Sequence, residues 1–213
     1  MDSDTAYVKR FSRTERAVHW VHASAFLALL VTGLMLYVPR LSELVARRPL
    51  IKEAHLWTAL AWVVALGLIV ALGDSRGLRR TLRELDGFDE DDRRWLRRAK
   101  VPQGRFNAGQ KLNVALTAAF AFLFAVSGLL LWLGERNTRF RLDGTIVLHD
   151  GLMYVSLVFL TGHLYLALIY PKTRHSLRGI TRGDVRRDWA RAHHRKWLDG
   201  DAGREDPAPV RPR

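Results

Sequence analysis

Four stretches of this chain contain no Asp, Glu, Lys or Arg: Ala17–Pro39, Ala54–Gly73, Leu112–Gly134 and Gly151–Tyr170. Each holds at least 20 residues, about 30 Å as a helix and enough to cross the hydrocarbon core of a bilayer. Backbone that enters lipid must satisfy its own hydrogen bonds, which a helix does within one segment. The expected fold is therefore all-α, an integral-membrane four-helix bundle. Its spans fall at about 17–39, 54–73, 112–134 and 148–170 within one domain covering 1–198. A mean hydropathy near zero, −0.07, conceals the spans because long basic connections offset them.

Those connections decide what the net charge of +13 means. Lys and Arg number 4 before the first span, 4 between the first and second, 11 between the second and third, 3 between the third and fourth, and 12 after the last. Alternate segments thus carry 27 on one side against 7 on the other. By the positive-inside rule both termini and the Asp74–Lys111 loop are expected in the cytoplasm of a bacterial inner membrane. Nucleic acid is excluded as a partner, since no folded basic surface is provided.

The rest of the chain is connection. Met1–Arg16 reads as a polar arm, and Pro39 suits a helix boundary. Arg40–Glu53, with Leu41, Leu44 and Val45, reads as a short interfacial helix. Leu78, Leu82 and Leu85 recur at helical spacing among arginines, as expected of an amphipathic cytoplasmic helix on anionic lipid. The acidic patch Asp86–Asp92 reads as a solvated turn, because it lacks the alternation and glycine of a calcium loop. Arg182–Leu198 is expected to form a docking helix. Asp199–Arg213, with three prolines and two glycines, reads as a disordered tail. The first span is too long for the h-region of a cleavable signal and is expected to stay as an anchor. No internal repeat is evident.

Cysteine is absent, so any redox centre must use histidine or methionine. Ionisable groups inside a membrane are costly and usually functional, and His19, His55, His149 and His163 lie in or at the ends of the spans. Four imidazoles can supply axial ligands for two haems. His149 and His163 are 14 residues apart, about 21 Å of rise and within roughly 40° of one helical face. His55 and His149 each open a span on the outer side, whereas His19 and His163 approach the inner side. Depth therefore pairs His55 with His149 and His19 with His163. Counted from the uncharged stretches, His163 lies about 10 Å from its inner end but His19 only about 3 Å; a first span starting nearer Thr14 closes the gap. His22, one turn from His19, points to nearly the same side, so the residues leave both open. His175, His193 and His194 sit among basic residues and read as solvated or phospholipid-facing. Gly33, Gly128, Gly151 and Gly162 permit close approach of a helix or a macrocycle.

Several runs resemble one family, the cytochrome b (gamma) subunit of membrane-bound respiratory formate dehydrogenase. They are Arg16-Ala17-Val18-His19-Trp20, Arg105-Phe106-Asn107-Ala108-Gly109-Gln110-Lys111, the His149…His163 spacing, and the tail from Val185 to Trp197. The resemblance extends to about Leu198. It implies a diheme cytochrome b with two haem b groups in the pairing above, and it favours His19 over His22. It also implies a quinone site (menaquinone or ubiquinone) at Asn107, Gly109 and Gln110, whose amides can hydrogen-bond a carbonyl and whose glycine allows close approach. Asn107 and Gln110 also have the spacing of a capping box on the third span.

The partners implied are an Fe–S (beta) subunit and, through it, a molybdenum or tungsten formate dehydrogenase catalytic subunit. Electrons then run from the outer face through the His55/His149 haem to the His19/His163 haem and to quinone, with proton uptake from the cytoplasm. This chain carries no formate site and is expected to have no formate-oxidising activity alone. The rival expectations are a diheme cytochrome serving hydrogenase or thiosulfate reductase, and a haem-free anchor or transporter. Transporters usually carry more spans and an internal repeat.

Overall fold

The structure, a computed structural model, describes residues 6–45 and 47–200. Among the described residues four helices are long and apolar enough to cross a membrane: α1 (Arg13–Tyr37), α3 (Arg48–Leu72), α6 (Ala108–Gly134) and the helix Thr145–Ile169. The last is α-helical over Thr145–Leu164 (α7) and closes as a π-turn over Tyr165–Ile169. Their apolar side chains point outward, Leu72 and Val158 being 83% and 72% exposed. That arrangement suits lipid and no aqueous surface. Shorter helices are α2 (Pro39–Val45), α4 (Ser75–Asp86), α5 (Glu90–Leu96), α8 (Leu177–Arg182), α9 (Arg187–His193) and α10 (Arg195–Asp199).

Each span starts earlier than its charge-free core. Helix α1 begins at Arg13, α3 at Arg48 and α6 at Ala108, because charged first turns remain helical once they leave the hydrocarbon. The interfacial helix expected after the first span is α2, and the amphipathic helix expected in the long loop is α4. The expected tail from Asp199 onward lies outside the described residues beyond residue 200.

The chain divides into two compact units. One contains 17–73 and 118–161. Within it α1 meets α3 at His22 and Trp62 (ring centres 5.6 Å apart), α6 meets α7 at Phe120 and Phe159 (5.7 Å), and α1 meets α7 at Tyr37 and Tyr154 (5.8 Å). Lys52 and Glu135 form an ion pair at 2.5 Å near the loops.

The other unit contains the arm up to Arg16, then 74–117 and the segment from Gly162 on. Here the expectation of an all-helical chain needs one amendment. Strands β1 (Tyr7–Lys9) and β2 (Asp184–Arg186) form an antiparallel ribbon with Val8 opposite Val185. The predicted docking helix is thereby broken into α8, β2, α9 and α10. Gly183, at φ +95°, makes the break, and its carbonyl accepts from the Arg10 and Phe11 amides at 2.8 and 3.1 Å. Val8, Val185, Ala190, Trp197 and Leu198 form the core, with Trp189 against it.

Two sequence expectations are corrected in this unit. The acidic patch is an ion-pair lock, not a solvated turn. Asp89 and Asp92 form a capping box on α5, Lys111 donates to Asp92 at 2.5 Å and to the Gly87 carbonyl at 2.6 Å, and Lys196 donates to Asp89 and Asp91. Asp92 is 3% exposed. Lys196 holds the Asp89 carboxyl down to about 2. His194 is core, not solvated: it is 2% exposed, its Nδ1–H donates to the Gly104 carbonyl at 2.7 Å, and its Nε2 accepts from Arg10 at 3.2 Å.

Candidate haem and quinone residues

His55 and His149 meet. Their ring centres are 6.4 Å apart, with the planes inclined at 69°. A metal held at about 2 Å by one imidazole nitrogen lies roughly 3 Å from the ring centre, so two rings sharing one ion sit roughly 6 Å apart. A separation of 6.4 Å would therefore let both imidazoles hold one iron between them.

The far edges of both rings are tethered alike. Thr32 Oγ1 lies 2.8 Å from His55 Nδ1, and Ser127 Oγ lies 2.8 Å from His149 Nδ1. Each hydroxyl has one proton, which it donates one turn back along its own helix: Thr32 to the Ala28 carbonyl at 2.8 Å, Ser127 to the Leu123 carbonyl at 2.6 Å. Each oxygen must then accept from the histidine. Both imidazoles consequently carry their proton on Nδ1 and keep the Nε2 lone pair for a metal.

A glycine stands beside each ring. A Cβ built at Gly33 would lie 3.5 Å from His55 Cε1, and one at Gly128 would lie 3.4 Å from His149 Cε1. Beyond those imidazole atoms, no side chain or neighbouring backbone among the described residues comes within 4 Å of either position. The donor chemistry, ring separation and open flanks all fit haem. By contrast, Gly151 and Gly162 have no atom of a packing neighbour within 4 Å.

Thr32 and Ser127 were not evident from the histidine pattern, yet the sequence carries a signal for them. Val31-Thr32-Gly33-Leu34-Met35-Leu36-Tyr37 and Val126-Ser127-Gly128-Leu129-Leu130-Leu131-Trp132 are the same pattern. Each precedes its histidine by nearly the same interval, 23 residues from Thr32 to His55 and 22 from Ser127 to His149. A short internal repeat therefore exists, and it is the part of each hairpin that holds a ligand.

His19 lies six residues inside α1, roughly 9 Å of rise from Arg13. Its ring meets Trp20 edge-on at 5.2 Å. His163 lies six residues before Ile169, immediately ahead of the π-turn, a feature frequent at functional sites. His22 packs on Trp62 and Phe26 with ring centres 5.6 and 6.1 Å away.

Asn107 and Gln110 form the reciprocal cap expected of their spacing. The Gln110 amide donates to Asn107 Oδ1 at 2.9 Å, and the Asn107 amide donates to Gln110 Oε1 at 3.1 Å. Neither side-chain NH2 group is used in these two bonds. Gly109 is required by Trp95, whose ring would lie 2.9 Å from a Cβ there. Beside this cap, Arg105 donates to Glu15 at 2.8 Å, Glu84 at 2.6 Å and Thr81 at 2.5 Å. Arg10 is 3% exposed, and desolvation together with the Arg105 charge pulls its guanidinium down to about 9. Among the described residues no group of three or more His, Asp or Glu is arranged to hold a bare metal ion.

The formate dehydrogenase cytochrome b556 subunit of Haemophilus influenzae is 23% identical over 92% of this chain and 84% of its own length. The nitrate-inducible formate dehydrogenase cytochrome b556(Fdn) subunit of Escherichia coli K12 is 23% identical over 92% of each chain. The cytochrome b556(fdo) subunit of the same strain is 25% identical over 89% of this chain and 91% of its own. The family model described as prokaryotic cytochrome b561 matches residues 10–183, running through all four spans and through His19, His22, His55, His149 and His163. This chain, a multi-pass inner-membrane protein, belongs to the prokaryotic cytochrome b561 family.

Proposed function

We propose that this cytochrome is the membrane electron-transfer subunit of a formate dehydrogenase, receiving electrons at one face of the membrane and delivering them to quinone at the other. The observation that carries the reading is the His55/His149 pair, 6.4 Å between ring centres with both Nε2 atoms left for a metal. The depth reading of the sequence makes His19 and His163 the second pair of ligands. When bound, two haem b groups supply a one-electron relay across the membrane.

The protein's part is to hold and orient. A haem held by His55 and His149 together would keep no open coordination site for oxygen chemistry. The NH2 groups of Asn107 and Gln110 donate to a quinone carbonyl at the mouth of α6, and the Gly109–Trp95 contact gives the head group an aromatic wall. Both termini and the α4–α5 loop face the cytoplasm by the charge census, so the His55/His149 end faces an outer Fe–S partner and proton uptake at quinone is from the cytoplasm. The full length of the formate dehydrogenase cytochrome relatives is nearly covered, which supports the same place in a complex with catalytic and Fe–S subunits.

The test is purification through a tag with haem quantitation and a reduced-minus-oxidised spectrum. Two b-type haems in the wild type, one lost in His55→Ala and in His149→Ala, and a copurified molybdenum or tungsten subunit with its Fe–S partner are expected. No b-type band removes the cytochrome reading. A copurified hydrogenase changes the donor alone.

A further inference from the structure

We propose that Thr32 and Ser127 are positioning residues that fix the orientation of the two haem ligands and lower the potential of the haem between them. The inference rests on the assignment of His55 and His149 as one axial pair and concerns what sets that pair's properties.

The geometry carries it twice. On α1 and on α6 a hydroxyl sits one residue before a glycine, gives its proton to a carbonyl one turn back, and accepts Nδ1–H from the histidine of the next span at 2.8 Å. Mid-helix Ser and Thr usually satisfy themselves with that backward bond alone. Here both have a second partner, in equivalent places of the two hairpins. Ser127 is 1% exposed, so water does not substitute for it. A hydrogen bond to the distal nitrogen fixes the tautomer and ring angle of a metal-bound histidine and makes it a stronger donor. Stronger donation favours ferric over ferrous iron. The glycine that follows keeps the helix clear of the ring's flank, so one dipeptide supplies both the tether and the space.

The variants are Thr32→Val, Thr32→Ser, Ser127→Ala and Ser127→Thr, with His55→Ala as reference. Each is purified as the haem-loaded cytochrome and followed by haem content, redox titration and the low-temperature EPR of the ferric state. Losing such a partner weakens metal binding by about 10–100-fold. Thr32→Val and Ser127→Ala are expected to keep two haems and to lose roughly tenfold of the ferric preference at one of them, a rise of about 59 mV for one electron. The EPR signal of that haem shifts with ring orientation. Thr32→Ser and Ser127→Thr, which keep the hydroxyl, stay close to wild type. Haem lost from Thr32→Val and Ser127→Ala but kept in the hydroxyl-preserving pair supports the same role. Wild-type potentials and EPR in Thr32→Val and Ser127→Ala overturn it, as does a Thr32→Ser shift equal to that of Thr32→Val. If His55→Ala keeps both haems, the underlying ligand assignment fails instead.

Discussion

The buried histidine of the tail gives the sharpest pH prediction. His194 donates from Nδ1 to the Gly104 carbonyl and accepts the Arg10 guanidinium at Nε2, so it must be neutral. A second proton would face a buried cation. Burial first, then Arg10 and His193, press its pKa from 6.5 down to about 3. The sign follows from proton counting. Between those values the unfolded tail binds a proton that the docked tail does not, so stability is complete above about 6.5 and is lost as pH falls toward 3. At pH 5 the gap is about 1.5 units, and each unit corresponds to about 1.4 kcal/mol, or about 2 kcal/mol in all. That amounts to roughly a 30-fold rise in tail opening. Hydrogen exchange reads it directly at the amides of Trp197 and Leu198, which bond to the Gln103 and His194 carbonyls. Protection at pH 5 relative to pH 7, corrected for intrinsic exchange, is expected to fall by that factor in wild type and hardly at all in His194→Gln. An equal loss in His194→Gln refutes the reasoning, because Gln does not titrate.

Three other outcomes are expected. His19→Ala loses one haem while His22→Ala keeps both, measured by pyridine haemochrome, since His22 is packed on Trp62 and Phe26; the reverse result reassigns the ligand. Lys111→Met strands the Asp92 carboxylate, 3% exposed, at a cost of about 3–5 kcal/mol. The thermal midpoint in detergent falls, and adding Asp92→Asn, whose amide oxygen still caps α5, restores most of it. Gly109→Ala gains up to about 1 kcal/mol of helix propensity yet drives a methyl into Trp95, costing about 1–3 kcal/mol; the same change in a Trp95→Leu background becomes stabilising.

What the sequence reveals and what it hides have physical causes. Spans are legible because lipid forbids charge, and the meeting of His55 with His149 is legible because both open a span from the same side. Helix starts are not: Arg13–Arg16 and Arg48–Glu53 are helical though hydropathy stops short of them. The ribbon is invisible because Tyr7–Lys9 and Asp184–Arg186 are three-residue strands from opposite ends of the chain. His194 misleads because its neighbours in sequence are basic, whereas its surroundings are set by Arg10 and Gly104. The Asn107–Gln110 cap is the opposite case, a local spacing rule realised locally.

The two tethers also determine what haem does for the fold. The Thr32–His55 bond lies within the hairpin of α1 and α3, and the Ser127–His149 bond within that of α6 and α7. Each hairpin therefore presents its ligand without the other. Ligation of one iron by both His55 and His149 would then add a link between the hairpins. Anything that binds the folded arrangement alone stabilises it by mass action, about 2.7 kcal/mol at a concentration 100 times its dissociation constant. Protein made under haem limitation is accordingly expected to keep its helical circular dichroism, to keep protection of the α1 and α6 backbones around Thr32 and Ser127, and to unfold at a lower temperature that rises again on adding haem. His55→Ala should remove the part of that rise due to this haem while leaving the Ser127–His149 hairpin as protected as before. Equal loss of protection in both hairpins would mean that the ligands are not preorganised separately, and that haem itself orients them.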